Sequence, residues 1–177
     1  MAITTLSRFS LTSLQTLLEQ ALSTSEQSIV FHLAEAGDAV TAGPFMTLSL
    51  NNVKNPGISQ RIQVDDLSEE IHQPCLGQCV IQAFGSGAFA QLSRLSAWTA
   101  SSAGGEALRS IGVTCLLVSD IANTSAPVAS GYEERATISL ALAWTDIYQI
   151  EQTTISEVPI TVLADNPAVQ IDIVVTK

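Results

Sequence analysis

The chain has 177 residues, enough for one domain with a sizeable core, and its 17 acidic against 7 basic residues give a formal charge of −10. That balance, with no basic stripe along the chain, argues against nucleic-acid binding by phosphate neutralisation, and no apolar run approaches the roughly 18 residues that span a bilayer. Because 46% of the residues are hydrophobic and only 14% charged, part of the apolar surface is expected to meet another subunit.

The start, Met1 to Arg8, lacks the basic opening and long apolar core of a secretory signal, so the chain is expected to fold in the cytoplasm. Ser10 ahead of Leu11, Leu14, Leu18, Ala21 and Leu22 predicts a capped amphipathic helix over about residues 10–24. Ile29, Phe31 and Leu33 alternate with Val30 and His32, giving a short strand in which His32 reads as structural. Pro44 opens a second strand with Met46, Leu48 and Leu50 on one face, and Asn51 to Gly57 reads as a turn or flexible tip. Ile62 and Val64 suggest a brief strand ahead of the densest acidic run, Asp65-Asp66-Leu67-Ser68-Glu69-Glu70. This run is either a solvated loop or an electronegative rim or channel lining.

Cys75 to Phe84 reads as a third long strand ending in Gly85-Ser86-Gly87, followed by a helix carrying Ala88, Leu92, Leu95 and Trp98. The Ser101 to Gly105 stretch predicts a break, then a short helix from Glu106 to Ile111 that Gly112 stops. Val113 to Val118 is apolar on both faces, the pattern of a central, doubly covered strand. Gly131 to Ala136 then runs into a long strand in which Ala136, Ile138, Leu140, Leu142 and Trp144 share a core face. Thr137, Ser139, Ala141 and Ala143 form a small-residue face able to admit a neighbour. Residues 146–153 read as the next, returning strand, 158–163 as another and 169–175 as a last one, which either edges its own sheet or adds to a neighbouring subunit's. Together these elements predict an α+β domain spanning 1–177: a twisted mixed, mainly antiparallel sheet with an N-terminal helix and one or two mid-chain helices packed on it.

Little in the chain suggests chemistry. Gly85-x-Gly87-x-x-Ala90 has the strand-to-helix context of a dinucleotide fingerprint, with Glu106 near the distance for a ribose contact. The alternating strand and helix units of a doubly wound sheet are missing, however, which favours a plain turn and no cofactor. No nucleophile elbow or metalloprotease motif is present, and His32 and His72 are the only imidazoles, so the chain does not read as an enzyme. Cys75, Cys79 and Cys115 read as reduced, buried thiols, since His72-x2-Cys75-x3-Cys79 fits no compact zinc knuckle.

The charged residues at the mouth of the long strand divide by parity. Glu133 and Arg135 project to the small-residue face, while Glu134 shares parity with the core and should want a basic partner. Arg94 and Arg109 are candidates within the chain, and Arg61 or Arg8 of a neighbouring copy across an interface. Solvation of all three charges is the competing reading.

Three segments, Ile81-Gln82-Ala83-Phe84-Gly85-Ser86-Gly87-Ala88, Ile111-Gly112-Val113 and Tyr132-Glu133-Glu134-Arg135-Ala136, resemble in order the neck or tail terminator proteins of tailed bacteriophages, over roughly residues 10–163. The resemblance implies a structural virion protein, assembled in the host cytoplasm, that forms a ring, typically a hexamer, at the head-proximal end of the tail tube. Its implied partners are further copies of itself, the tail tube protein and a neck or head-completion protein, with DNA passing through unbound. On that basis Glu133, Glu134, Arg135 and Arg61 are candidate subunit-interface residues. The acidic run and the tail after Leu163 have no counterpart in the resemblance: the density of charge alone makes Asp65, Asp66, Glu69 and Glu70 candidate lumen or rim residues, and the terminal strand pattern makes 164–177 a candidate subunit-linking tail.

Overall fold

The computed structural model describes residues 3–22, 30–33, 44–65, 67–128, 131–152, 160–161 and 172–173. Along the chain these form β1 (Ile3–Thr5), α1 (Leu11–Leu22), β2 (Val30–Leu33), β3 (Phe45–Lys54), β4 (Gln60–Asp65), β5 (Ser68–Phe84), α2 (Ala88–Ala100) and α3 (Ser102–Ser110). There follow β6 (Val113–Val118), β7 (Ala122–Asn123), β8 (Ala126–Val128), β9 (Gly131–Glu133), β10 (Arg135–Glu151), β11 (Ile160–Thr161) and β12 (Asp172–Ile173). The predicted α+β class is thus the observed one, mainly antiparallel, with only the β2–β3 pair of the main sheet parallel.

The spine is a single antiparallel ladder between β5 and β10, in register from Arg135 opposite Phe84 to Glu151 opposite Ser68. At about 3.3 Å per residue each 17-residue strand runs about 55 Å. On β5's free side β3 covers residues 76–84 and β4 covers 68–72. On β10's free side lie β7, β6 and β1 in succession. Pro74 falls in the gap between β3 and β4, where no neighbouring strand needs its missing N–H, so the strand runs through it.

Alternation decides which face is covered. Ala136, Ile138, Leu140, Leu142 and Trp144 of β10 are buried beside Cys75, Cys79, Ile81 and Ala83 of β5 and Met46 and Leu48 of β3. Leu14, Leu18 and Leu22 of α1, Leu92 and Leu95 of α2 and Leu108 of α3 close over that face. Each enclosed leucine contributes about 1.5–3 kcal/mol. The α1 leucines recur every four residues, and Ser10 starts the helix as expected: its Oγ accepts from the Ser13 N–H at 3.0 Å. The predicted residues 23 and 24 of that helix lie outside the described residues.

The apolar core ends at Trp144. Its indole lies over Gly77, where an added Cβ would come within 2.7 Å of the ring, and Phe9 packs against it with centroids 4.8 Å apart. Beyond it, residues 69–74 of β5 and 146–150 of β10 are half-buried on both faces, and every residue of β4 and β1 is exposed. The distal half is therefore a four-stranded arm, β4–β5–β10–β1, extending past the helices.

Several boundaries differ from the sequence expectation, each for a local reason. Residues 51–54 are strand, not a flexible tip: Asn52 takes a left-handed φ of 53° at a register shift, so the asparagines mark a bulge. The third strand starts at Ser68, so Glu69 and Glu70 stand in a ladder and the acidic run is a hairpin corner, not a loop. No return occurs at 146, because β10 continues to Glu151 and Asp146 accepts a hydrogen bond from the Cys75 thiol at 3.3 Å. Nor is Val113–Val118 central and doubly covered. Among the described residues it pairs with β10 alone, and Leu116 and Leu117 are 58% and 67% exposed because the helices close only one face.

The expected break before the third helix is also absent. Ser101 caps α3 by accepting from the Gly104 N–H at 3.0 Å, and Gly104 and Gly105 are both helical. Gly104 is there for close approach, since a Cβ would lie 2.0 Å from the Trp98 carbonyl oxygen, whereas one on Gly105 would meet nothing nearer than Arg109 at 3.7 Å. The late strand expectations, 158–163 and 169–175, survive as Ile160–Thr161 paired antiparallel with Asp172–Ile173, and the rest of those segments lies outside the described residues.

These two helical glycines make a matched test. Gly104→Ala should lower unfolding stability in urea by about 3 kcal/mol, as overpacking against backbone does. Gly105→Ala should raise it by about 0.5–1 kcal/mol through lower unfolded-state entropy.

Candidate functional site

The segment from Gly131 to Ala136 joins the β8–β9 hairpin to β10, and Glu134 stands between the two strands. Its carbonyl accepts from the Gly85 N–H at 2.9 Å. Its carboxylate accepts from the backbone N–H groups of Gly87 at 2.8 Å and Phe89 at 3.3 Å, at the start of α2. Gly87, the N-cap residue, has φ 81° and no side chain with which to cap. A side chain 47 positions later in the chain therefore caps the helix.

This arrangement answers two expectations. The partner that Glu134 wanted is neither Arg94 nor Arg109 but the unpaired donors and positive pole of α2. It also accounts for the Gly85-x-Gly87-x-x-Ala90 likeness. The glycines form the strand-to-helix turn, but the seat a phosphate would take is filled by the protein's own carboxylate, and the sheet is not the parallel one of a dinucleotide fold.

Glu133 and Arg135 pair with each other. The Arg135 Nε–H donates to Glu133 Oε2 at 2.6 Å, and an NH2 contact to the same oxygen completes an ion pair. The guanidinium sits 5.3 Å from the Phe84 ring centroid, and Phe84 stacks on Phe45 at 4.6 Å and 7°. Because both charged side chains are about one-third exposed, at 35% and 29%, the pair contributes at most about 1 kcal/mol. As parity predicted, Arg135 lies on the helix-free face with Thr137 and Ser139.

The other charged candidates are not brought to this junction. Arg61 stands opposite Ile71 and Arg135 opposite Phe84, so they are separated by roughly 13 residues of β5, about 40 Å along the strand. Asp65, Glu69 and Glu70 share the Arg61 end, and Asp66 lies outside the described residues. Asp65 accepts from the Leu67 N–H at 2.8 Å, and the neighbouring Ser68 side chain and the Leu67 backbone hold its carboxyl below the usual range. Glu70 contacts His72 Nε2 at 2.8 Å, while Glu69, one rung along, faces the other side of the sheet.

Among the described residues no group of three or more His, Cys, Asp and Glu gathers as a metal site. Burial pushes the Cys79 thiol up to about 12, with the nearby Cys115 adding to the shift. Burial and the Asp146 carboxylate push Cys75 to about 11. The side chain of His32 lies outside the described residues.

These features describe a sheet clad on one face, with Glu134 tied into a helix cap, Glu133 and Arg135 into a pair and Asp65 into a turn. The chain matches the family model of the phage neck terminator protein over residues 12–166, and it belongs to that family. A comparison with individual curated proteins finds no match. Membership assigns a structural role in the bacteriophage neck, within the virion and in association with other neck and tail proteins.

The cap makes a graded prediction. Glu134→Ala should cost about 1–2 kcal/mol of unfolding stability, and Glu134→Gln, which keeps an acceptor but loses the charge, less than half of that. A second prediction follows from the thiols. At pH 8 a thiol reagent should modify the half-buried Cys115 first and reach Cys75 and Cys79 only on unfolding, because both stay protonated well above that pH.

Proposed function

We propose that the protein assembles into a ring, typically of six copies, that ends the phage tail tube and joins it to the neck or head-completion proteins. The observation that carries this reading is the helix-free face of the sheet. Thr47 and Ser49 of β3, Gln78, Val80 and Gln82 of β5, and Thr137, Ser139, Ala141 and Ala143 of β10 form a broad surface of small, mostly uncharged side chains. Such a surface, on a chain with few charges, suits permanent packing against other protein.

In this reading DNA passes through the lumen without specific binding, which a charge of −10 per copy favours by repulsion. Glu133 and Arg135, with Glu134 behind them, lie at one end of the long ladder and Arg61 at the other, so the four candidate interface residues serve two separate contacts. Asp65, Asp66, Glu69 and Glu70 form the electronegative rim at the Arg61 end. The particular partners are the tail tube protein and a neck or head-completion protein, and assembly takes place in the host cytoplasm. The residues 164–177 are proposed to link subunits.

Sedimentation mass and electron microscopy of the purified protein test the ring. A closed oligomer is the expected result, and a strict monomer that binds NAD or another nucleotide in a thermal-shift assay would refute it. Arg135→Ala should weaken assembly at least several-fold while leaving the fold intact; an unchanged ring would remove the Glu133–Arg135 surface from the interface.

A further inference from the structure

The distal arm ends in two strand edges that have no partner among the described residues: β4 on one side and β1 on the other. They lie at the same height. Arg61, Ile62 and Gln63 of β4 stand opposite Ile71, Glu70 and Glu69 of β5. These stand opposite Tyr148, Gln149 and Ile150 of β10, and these in turn opposite Thr5, Thr4 and Ile3 of β1. Three rungs thus cross all four strands.

Their directions match as well. Every pairing in the arm is antiparallel, so with four strands the outer two run in opposite senses. A second copy rotated about an axis along the arm would bring its β1 beside the first copy's β4 antiparallel, extending the alternation without a break. Natural free edges are guarded by charges, prolines or short irregular strands. Here β4 carries Arg61 and Asp65 and β1 is 3 residues long, but β1, Ile3-Thr4-Thr5, is uncharged and of high β propensity. On β4, Ile62 and Val64 are 44% and 50% exposed, and Ile3 on β1 is 65% exposed.

We propose that β4 of one copy pairs with β1 of the next, so that the four-stranded arms join into one continuous antiparallel sheet. The inference rests on the ring reading and supplies its joint. Because the two edges are different surfaces, the contact is head-to-tail, the kind that closes into a ring when its rotation allows. Six copies would contribute roughly 24 strands, more than the 16–18 that already enclose an aqueous channel. Beyond the small-residue surface, the joined arms carry Glu70 and Glu151 on the helix-free side of the sheet.

Cysteine pairing tests the joint, because cross-strand neighbours stand about 4.5–5.5 Å apart at Cα, within disulfide reach. Thr4→Cys would be mixed in equal amounts with Ile62→Cys under mild oxidation, with Gln60→Cys and Val64→Cys covering registers shifted by two residues. All of these positions are exposed, so folding should be unaffected. The expected result is a disulfide joining position 4 of one copy to position 60, 62 or 64 of another, identified by peptide mapping, with the assembled mass retained. An intact oligomer giving only 4–4 or 62–62 links, or none, overturns the edge pairing and leaves the ring standing. A wild-type protein that sediments as a monomer overturns both.

Discussion

The in-register pairing of β5 with β10 is the constraint on which the rest of the structure depends. Because side chains alternate along a strand, fixing one register over 17 residues sends every buried apolar side chain of both strands to the same face, and a slip of one residue would reverse them all. The helices then have one place to go. Their leucines meet Ile81, Ile138, Leu140 and Leu142, and this contact fixes the positions of α1, α2 and α3 together. The same ladder continues past Trp144, where among the described residues no helix follows, which produces the arm and its open edges. Clad half and bare half are thus two consequences of one pairing.

The divisions of the sequence that were legible are those made by local chemistry. Ser10 and the four-residue leucine spacing define α1, and the strict alternation from Ala136 to Trp144 defines both the strand and its buried face. What was not legible depended on neighbours distant in the chain. Asp146 in mid-strand looks like a boundary until Cys75 is seen to donate to it, and Pro74 looks like a start until the gap between β3 and β4 is known. Gly104 looks like a helix breaker unless the Trp98 carbonyl is already beside it. In Val113–Val118, continuous apolar character signals cover on both faces, yet only one is covered here, and the excess is left exposed as Leu116 and Leu117.

The charged site was legible in part. Strand parity separated Glu133 and Arg135 from Glu134 correctly, since parity is a property of the strand alone. The identity of Glu134's partner was not, because helix donors announce themselves in sequence only through a local cap, and Gly87 supplies none. The absence of a capping side chain ahead of α2 was the available signal that a remote acceptor had to exist. Family membership, with a structural role in the phage neck, agrees with a site whose acidic and basic groups hold backbone and each other.

The Glu134 cap also orders events in time. A helix whose first turn is completed by a residue 47 positions downstream has that turn unfinished while only the N-terminal half of the chain is available. The turn from Gly85 to Phe89 is complete only once β10 has zipped onto β5, so a later-made strand closes the helix begun before it. Loop-closure entropy is then met once for both elements, which links the sheet and the helical layer into one cooperative step. In the folded protein, protection of the Gly87 and Phe89 amides is therefore tied to the long ladder and not to the helix end alone.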